Sequence, residues 1–123
     1  MQGPRIHEYN EWGEHALNGH AERAVIRLQL DKLRDRSVDQ LFEAMLKLET
    51  LEECYLFFDD LCTVGEVQSL AQRLEVARML KSGQTYSHIE AETGASTATI
   101  SRVKRCLNYG SDGYHLVLDR LAK

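Results

Sequence analysis

The sequence predicts a single all-α domain. Apolar residues recur at helical spacing along most of the chain after residue 28, and no segment shows the sustained alternation of apolar and polar residues that is typical of strands. Pro4 is the only proline, so no later helix is interrupted by one. At 123 residues, of which 43% are hydrophobic, the chain has the size and apolar content of one packed domain.

Residues 1–28 differ in composition from the rest of the chain. They contain three of the five histidines and three of the eight glycines. We expect this segment to be a flexible N-terminal leader or an added extension, with residues 29–123 forming the domain. The alternative is an arm that contacts DNA or braces a dimer. The histidines lack the regular spacing of metal ligands, so we predict no metal site.

Two helices are predicted at the start of the domain. The second of them, from Leu51 to Leu61, is rich in aromatic residues. The first is indicated by apolar residues at helical spacing. These residues are Val38, Leu41, Phe42, Met45, Leu46 and Leu48.

A long central helix follows. Thr63 and Glu66 have the spacing of a capping box, in which each side chain accepts a hydrogen bond from the backbone N–H of the other residue. The helix should end at Gly83, because glycine favours the left-handed conformation that closes many helices. Its apolar residues share one stripe, which consists of Val67, Leu70, Leu74, Ala77 and Leu80.

The residues from Thr85 to Leu107 predict a helix-turn-helix. Thr85 can cap a short first helix whose Ile89 faces inward. Gly94 lies where the chain must turn sharply between two helices. Ser96 can cap the second helix and leave its N-terminal N–H groups available to a phosphate.

The second helix of this motif has two unlike faces. At 100° per residue, Ile100, Val103 and Leu107 fall on an inner face. The opposite face is small near the start of the helix and basic near its end, so it can enter a major groove and bring arginines to guanine edges or phosphates. The predicted DNA-binding residues are Ser87, His88, Ser96, Thr97, Ala98, Thr99, Ser101, Arg102, Lys104 and Arg105.

The last helix should begin near Ser111 or Asp112 and run through Leu116, Leu118 and Leu121. Serine and aspartate are both common at the N-cap position. With this helix the predicted domain is entirely helical, and none of its apolar runs is long enough to cross a bilayer.

The charge of the chain is unevenly distributed. The net charge of −4 argues against a general polyanion binder. However, the stretch from Gly94 to Tyr109 contains no acidic residue, whereas Arg102, Lys104 and Arg105 are basic. Acidic residues cluster between positions 49 and 66 instead. This asymmetry favours one basic face, with double-stranded DNA as its partner.

Several residues and stretches carry a resemblance to a known family. They are Thr63, Arg73, Gly83, the segment Gly94–Arg102, and the stretches 51–64, 69–80 and 93–109. Together they resemble the Trp repressor family, especially its YerC/YecD branch, and the similarity runs from about Leu28 to the C-terminus. The resemblance implies a six-helix protomer that intertwines with a second copy as a homodimer. It also implies a repressor of an amino-acid biosynthetic operon.

The resemblance further implies a site for a free amino acid that acts as corepressor. Arg73 and Arg102 would bracket this ligand, and Thr63 would line its pocket. Val103 and Cys106 stand where the family has glycine and serine, and both differences argue against tryptophan. A smaller or partly cationic amino acid, such as histidine, would fit better. The alternative is that Val103 fills the pocket and the regulator has no effector.

A dimeric DNA-binding regulator is the leading interpretation, and an effector-independent DNA-binding or protein-interaction module is the alternative. An enzyme is disfavoured, because Cys106, His115, Asp59 and Asp60 are accompanied by no glycine-rich phosphate-binding loop and no set of metal ligands. The three cysteines have no CxxC spacing and the N-terminus has no apolar signal segment. We therefore expect a cytoplasmic protein with reduced thiols, no cofactor and no membrane contact.

Overall fold

The computed structural model describes Lys32 and residues 34–123, and the leader predicted over residues 1–28 lies outside them. Within the described residues the backbone forms six α-helices and no strand, which confirms the predicted all-α fold. The helices are α1 (Arg36–Met45), α2 (Leu51–Leu61), α3 (Val64–Lys81), α4 (Tyr86–Thr93), α5 (Thr97–Tyr109) and α6 (Gly113–Leu121).

The first helix ends earlier than predicted. The apolar pattern extends to Leu48, but the α-helix stops at Met45. The N–H groups of Lys47 and Leu48 bond to carbonyl oxygens three residues back, at 3.0 and 3.2 Å. Hydrogen bonds of this span tighten the chain and end the α-helical register. The second helix has the predicted bounds, and the Thr50 hydroxyl caps it by accepting a hydrogen bond from the third residue of the helix.

Neither α1 nor α2 contains a buried residue. Leu51, Tyr55 and Leu56 are 75%, 68% and 61% exposed. The helices that pack on one another are α3 to α6, with α3 in contact with each of the other three. Within the described part of one chain, the apolar faces of α1 and α2 are therefore left uncovered.

The core lies in the second half of the chain. Three residues near the end of α3, one from α4, three from α5 and one from α6 meet there, together with Ala95 from the turn between α4 and α5. Leu80, Tyr86 and Tyr114 pack against this cluster at its edge. The buried residues are Val76, Ala77, Met79, Ile89, Ala95, Ile100, Val103, Leu107 and Leu118.

Only part of the predicted stripe on α3 belongs to this core. Ala77 is buried and Leu80 packs against the cluster, but Leu70 and Leu74 are 46% and 36% exposed. The reason is orientation, because the buried residues of α3 are Val76, Ala77 and Met79, so the face that meets the core is rotated away from Leu70 and Leu74. Leu70 and Leu74 thus form another exposed apolar surface.

Both ends of α3 have the predicted closures. Thr63 and Glu66 form a capping box, with hydrogen bonds of 2.8 and 3.1 Å between side chains and backbone N–H groups. At the other end, Gly83 has a φ of +87°, and the Gln84 N–H donates to the Met79 carbonyl at 3.0 Å. This is the Schellman arrangement, which sends the chain directly into the next helix.

Candidate nucleic-acid interface

Two short helices, α4 and α5, form the predicted helix-turn-helix. The Thr85 hydroxyl caps α4 by accepting a hydrogen bond from the His88 N–H at 3.2 Å. Gly94 ends α4 with a φ of +73°, a conformation that most other residues adopt only with strain. Ile89 is fully buried, as predicted, and Ala95 in the turn is buried beside it. The structure therefore has both helices and the turn at the positions that the sequence indicates.

Thr93, which was not singled out from the sequence, fixes the turn. Its hydroxyl donates to the Ile89 carbonyl at 2.7 Å and accepts from the Ala95 N–H at 3.1 Å. Its carbonyl accepts a hydrogen bond from the Gln72 side chain of α3 at 3.0 Å. Because these bonds join α3, α4 and the turn, they hold α5 at a set angle to the rest of the domain. A threonine that ends a helix has no distinctive sequence signature, so it was missed.

The start of α5 is held by Ser96 and Thr99. The Ser96 hydroxyl accepts from the Thr99 N–H and donates to the Thr99 hydroxyl, both at 3.1 Å. These two predicted DNA-binding residues therefore use their hydroxyl groups within the cap. The N–H groups of Thr97 and Ala98 belong to the first turn, where a helix supplies no carbonyl partner, and they point toward an incoming anion.

The two faces of α5 are as predicted. Ile100, Val103 and Leu107 are buried against the core. The opposite face is exposed, and it changes from small, neutral side chains in the first turns to basic ones further along. Because the inner face is anchored, the outer face is presented in a fixed orientation. The exposed residues are Thr97, Ala98, Ser101, Arg102, Lys104 and Arg105.

The first helix of the motif, α4, contributes less positive charge to the interface than α5. Ser87 and His88, both predicted to bind DNA, are exposed in the first turn of α4. Glu90 and Glu92 lie further along the same helix. The basic character of the interface is therefore concentrated on α5.

Three of the residues predicted to bind a ligand act on the pKa of Tyr114 of α6. Burial raises the pKa of the Tyr114 hydroxyl, and the neighbouring Cys106 adds to this increase. Arg73 and Arg102 act on the same pKa in the opposite direction, and Arg73 does so partly through a hydrogen bond. Tyr114 is thus coupled electrostatically to the two guanidinium groups and the thiol, while Arg73 also donates a hydrogen bond to the Ser69 hydroxyl at 3.4 Å. Sequence reasoning missed Tyr114, since its neighbours come from distant parts of the chain.

The other two predicted ligand-binding residues lie elsewhere. Val103 is buried in the core with its neighbours Ile100 and Leu107. Thr63 and Arg73 are ten positions apart on one helix, a rise of roughly 15 Å, so one chain does not bring them together. Thr63 instead lines a cavity of about 450 Å³ between α2 and α3. The apolar lining of this cavity includes Leu51, Tyr55, Phe58, Val64 and Val67.

No other chemistry-bearing cluster stands out in residues 34–123. Asp59 and Asp60 are exposed, and no group of histidine, cysteine, aspartate and glutamate side chains in this part of the chain could hold a metal ion. Among the helices described, none is both long and apolar enough to span a membrane.

The chain matches the family model described as Trp repressor protein over residues 36–122. It is 70% identical over 94 residues to "Uncharacterized protein YerC" of Bacillus subtilis (strain 168), covering 76% of this chain and 90% of that protein.

Two solved structures are also similar. One is a crystal structure of a candidate Trp repressor from Staphylococcus aureus, with 63% identity and a TM-score of 0.74 over 76% of this chain and 94% of that one. The other is a TrpR-like protein from Eubacterium eligens ATCC 27750, with 56% identity and a TM-score of 0.73 over 75% of this chain and 95% of that one. The chain therefore belongs to the Trp repressor family, whose members are DNA-binding transcription regulators rather than enzymes.

Proposed function

We propose that the protein is a homodimeric repressor that binds a two-fold symmetric operator by placing α5 of each copy in a major groove. The observation that carries this proposal is the outer face of α5. It is exposed, free of acidic residues, small in its first turns and basic beyond them, while the inner face is fixed in the core. A helix with this profile can approach base edges closely and still neutralise phosphates at the groove wall.

The uncovered apolar surfaces support the homodimer. Leu51, Tyr55 and Leu56 on α2, with Leu70 and Leu74 on α3, are more exposed than a stable monomer of this size would leave them. A second copy is the natural cover, because a two-fold interface buries the same patch on both chains. Burial contributes about 25 cal/mol for each Å² of apolar surface removed from water. A two-fold dimer also sets the two α5 helices about 34 Å apart, one turn of DNA.

The finer proposal concerns regulation by a free amino acid. Arg73 and Arg102 both act on the pKa of Tyr114, and two guanidinium groups suit a carboxylate through charge-assisted hydrogen bonds. Thr63 can join such a site only if it comes from the second copy, because it lies far from Arg73 on the same helix. The operon controlled would then be one for amino-acid biosynthesis, in keeping with the family resemblance.

A second candidate is a repressor that needs no effector. Tyr114 interacts with the same arginines, and Val103 is packed in the core rather than lining an open pocket. Both observations reduce the room for a ligand, and they weigh most heavily against a broad indole ring. Under this proposal, the interaction of Tyr114 with Arg73 replaces the contact that a bound amino acid would make.

Calorimetry with each of the twenty amino acids separates the two candidates. If an effector exists, one amino acid releases or absorbs heat on binding, and Arg73→Ala abolishes the signal. If no amino acid binds while the protein still binds its operator, the repressor needs no effector. Tight binding of tryptophan would overturn the argument from the size of Val103 and Tyr114.

The repressor function itself is tested by capturing genomic DNA fragments on the purified protein and sequencing them. We expect enrichment of a small number of promoter-region fragments that share a palindrome with half-sites one helical turn apart. Capture of fragments without any shared sequence would contradict the proposal. Ala98→Phe, which blocks the groove-facing surface, is the negative control.

A further inference from the structure

The kind of base pair that α5 reads can be inferred from the chemistry of its exposed first turns, and this inference rests on the proposed DNA-binding function. In helix-turn-helix proteins the N-terminal residues of the second helix contact base edges. Here the exposed residues of that segment are Thr97, Ala98 and Ser101. None of them carries the guanidinium, amide or carboxylate group that forms paired hydrogen bonds with guanine, adenine or cytosine.

Two further hydroxyl groups of this segment are used within the helix cap. The Ser96 hydroxyl accepts a hydrogen bond from the Thr99 N–H and donates one to the Thr99 hydroxyl, both at 3.1 Å. Thr97 and Ser101 carry exposed hydroxyl groups, but a single hydroxyl bonds to several bases and discriminates weakly. What the first turns offer most distinctively is therefore the methyl groups of Thr97 and Ala98.

The basic residues of α5 begin beyond its first turn. Arg105 is seven positions from Ala98, about 10 Å along the axis. Arg102 lies about one turn beyond Ala98 and is exposed, like Lys104 and Arg105. The positive charge of the outer face is therefore centred beyond the first turns, where it suits phosphates and flanking positions.

Thymine presents a C5-methyl group to the major groove, the one apolar group among the edges of the four bases there, and alanine and threonine methyl groups contact it favourably. We propose that Thr97 and Ala98 select thymine methyl groups, so that each operator half-site contains thymine at the positions beneath the first turns of α5. Sequence preference at those positions then comes from apolar contact and close fit rather than from arginine–guanine pairs.

The test replaces thymine by deoxyuridine, which removes only the methyl group. A duplex is first selected by the wild-type protein from a random-sequence pool, and each half-site thymine is then replaced in turn. We expect at least one position per half-site where affinity falls about fourfold per methyl group, the effect of burying one such group. Deoxyuridine in the flanking sequence serves as the DNA control.

Two protein variants test whether Thr97 and Ala98 make the contact with the thymine methyl group. Thr97→Ser and Ala98→Gly each remove a methyl group, and together they should bring the ratio of thymine to deoxyuridine affinity close to one. Thr50→Ser is the matched control, because it removes a methyl group from the cap of α2 while keeping the hydroxyl that accepts from the Glu53 N–H, and it should leave the ratio unchanged.

Three outcomes are distinguishable. A methyl-dependent position that loses its preference in the Thr97 and Ala98 variants supports the inference. A selected duplex that binds equally well with deoxyuridine throughout overturns it, while specific DNA binding stands. A pool from which no sequence is enriched would overturn the proposed function as well.

Discussion

Single hydroxyl groups cap four of the six helices described, while the Asp35 carboxylate caps α1 and no side chain caps α6. Thr50, Thr63, Thr85 and Ser96 each accept a hydrogen bond from the N–H three residues further on, at 3.0 to 3.2 Å. Caps of this kind contribute about 0.5–2 kcal/mol each. At Ser96 the cap also prepares the DNA-facing end of α5, because it leaves the first N–H groups of the helix pointing outward.

Substitutions on the two faces of α5 should have opposite consequences. Ala98→Phe places a large ring on the exposed face, so DNA binding should be lost while the urea unfolding midpoint changes little. Ile100→Ala leaves a cavity at a fully buried position, so the free energy of unfolding should fall by ~2–5 kcal/mol. Normal operator binding by Ala98→Phe would show that the reading face has been assigned wrongly.

The salt dependence of DNA binding tests the role of Arg105. If its guanidinium meets a phosphate, Arg105→Ala should weaken binding to all sequences alike and reduce the slope of log affinity against log salt by about 1. Arg78→Ala is a matched control, because Arg78 is an exposed arginine on α3 that pairs with Glu75. Equal slopes for the two variants would show that Arg105 does not contact a DNA phosphate.

The residues that sequence could identify are those whose partners are close in sequence. The caps at Thr63, Thr85 and Ser96 and the buried positions of α5 follow from spacings of three or four residues. Tyr114 could not be found in this way, because the groups around it come from α3 and α5. The separation of Thr63 from Arg73, by contrast, already follows from the predicted central helix, which is capped by Thr63 and contains Arg73.

Among the helices, α3 is the one that packs against all three of the other core helices. Its C-terminal third supplies three core residues, and its ends are closed by a capping box and a glycine in the left-handed conformation. Gln72 bonds to the turn of the helix-turn-helix, and Lys81 forms an ion pair with Asp119 of α6 at 2.6 Å. This helix therefore sets the position of both neighbours of α5.

Two glycines of this region should respond oppositely to alanine. Gly83 has a φ of +87°, so Gly83→Ala should lower the free energy of unfolding by about 1–2 kcal/mol through backbone strain. Gly65, in the first turn of α3, has an ordinary φ and no atom near an added Cβ. Gly65→Ala should therefore raise stability by about 0.4–1 kcal/mol. Urea titrations of both variants measure this, and a loss of stability at both sites would contradict the account.

Helix boundaries were predictable where a cap or a glycine marks them, and less so elsewhere. The end of α1 was placed too late because apolar residues continue to Leu48 although the backbone has already tightened into shorter hydrogen bonds. The stripe predicted on α3 contained Leu70 and Leu74, which are exposed within one chain, and lacked Val76 and Met79, which are buried. A sequence pattern identifies an apolar face without identifying which chain covers it.

At the scale of the whole molecule, the exposed apolar faces of α1, α2 and the start of α3 predict a stable homodimer. Light scattering at micromolar concentration should give twice the mass of the chain. Leu56→Glu, which places a charge on the exposed face of α2, should lower the association constant and the thermal stability together, because fold and assembly share this surface. A stable monomer at these concentrations would contradict this prediction.

The central claim is that the outer face of α5 makes this dimer a sequence-specific DNA-binding protein. The most direct measurement is fluorescence anisotropy of a selected palindromic duplex, in competition with random-sequence duplex of equal length at physiological salt. We expect one dimer to bind each duplex and to prefer the palindrome by at least about 10³-fold. This preference should be lost in Ala98→Phe. Equal affinity for the two duplexes, or a preference unchanged in Ala98→Phe, would contradict it.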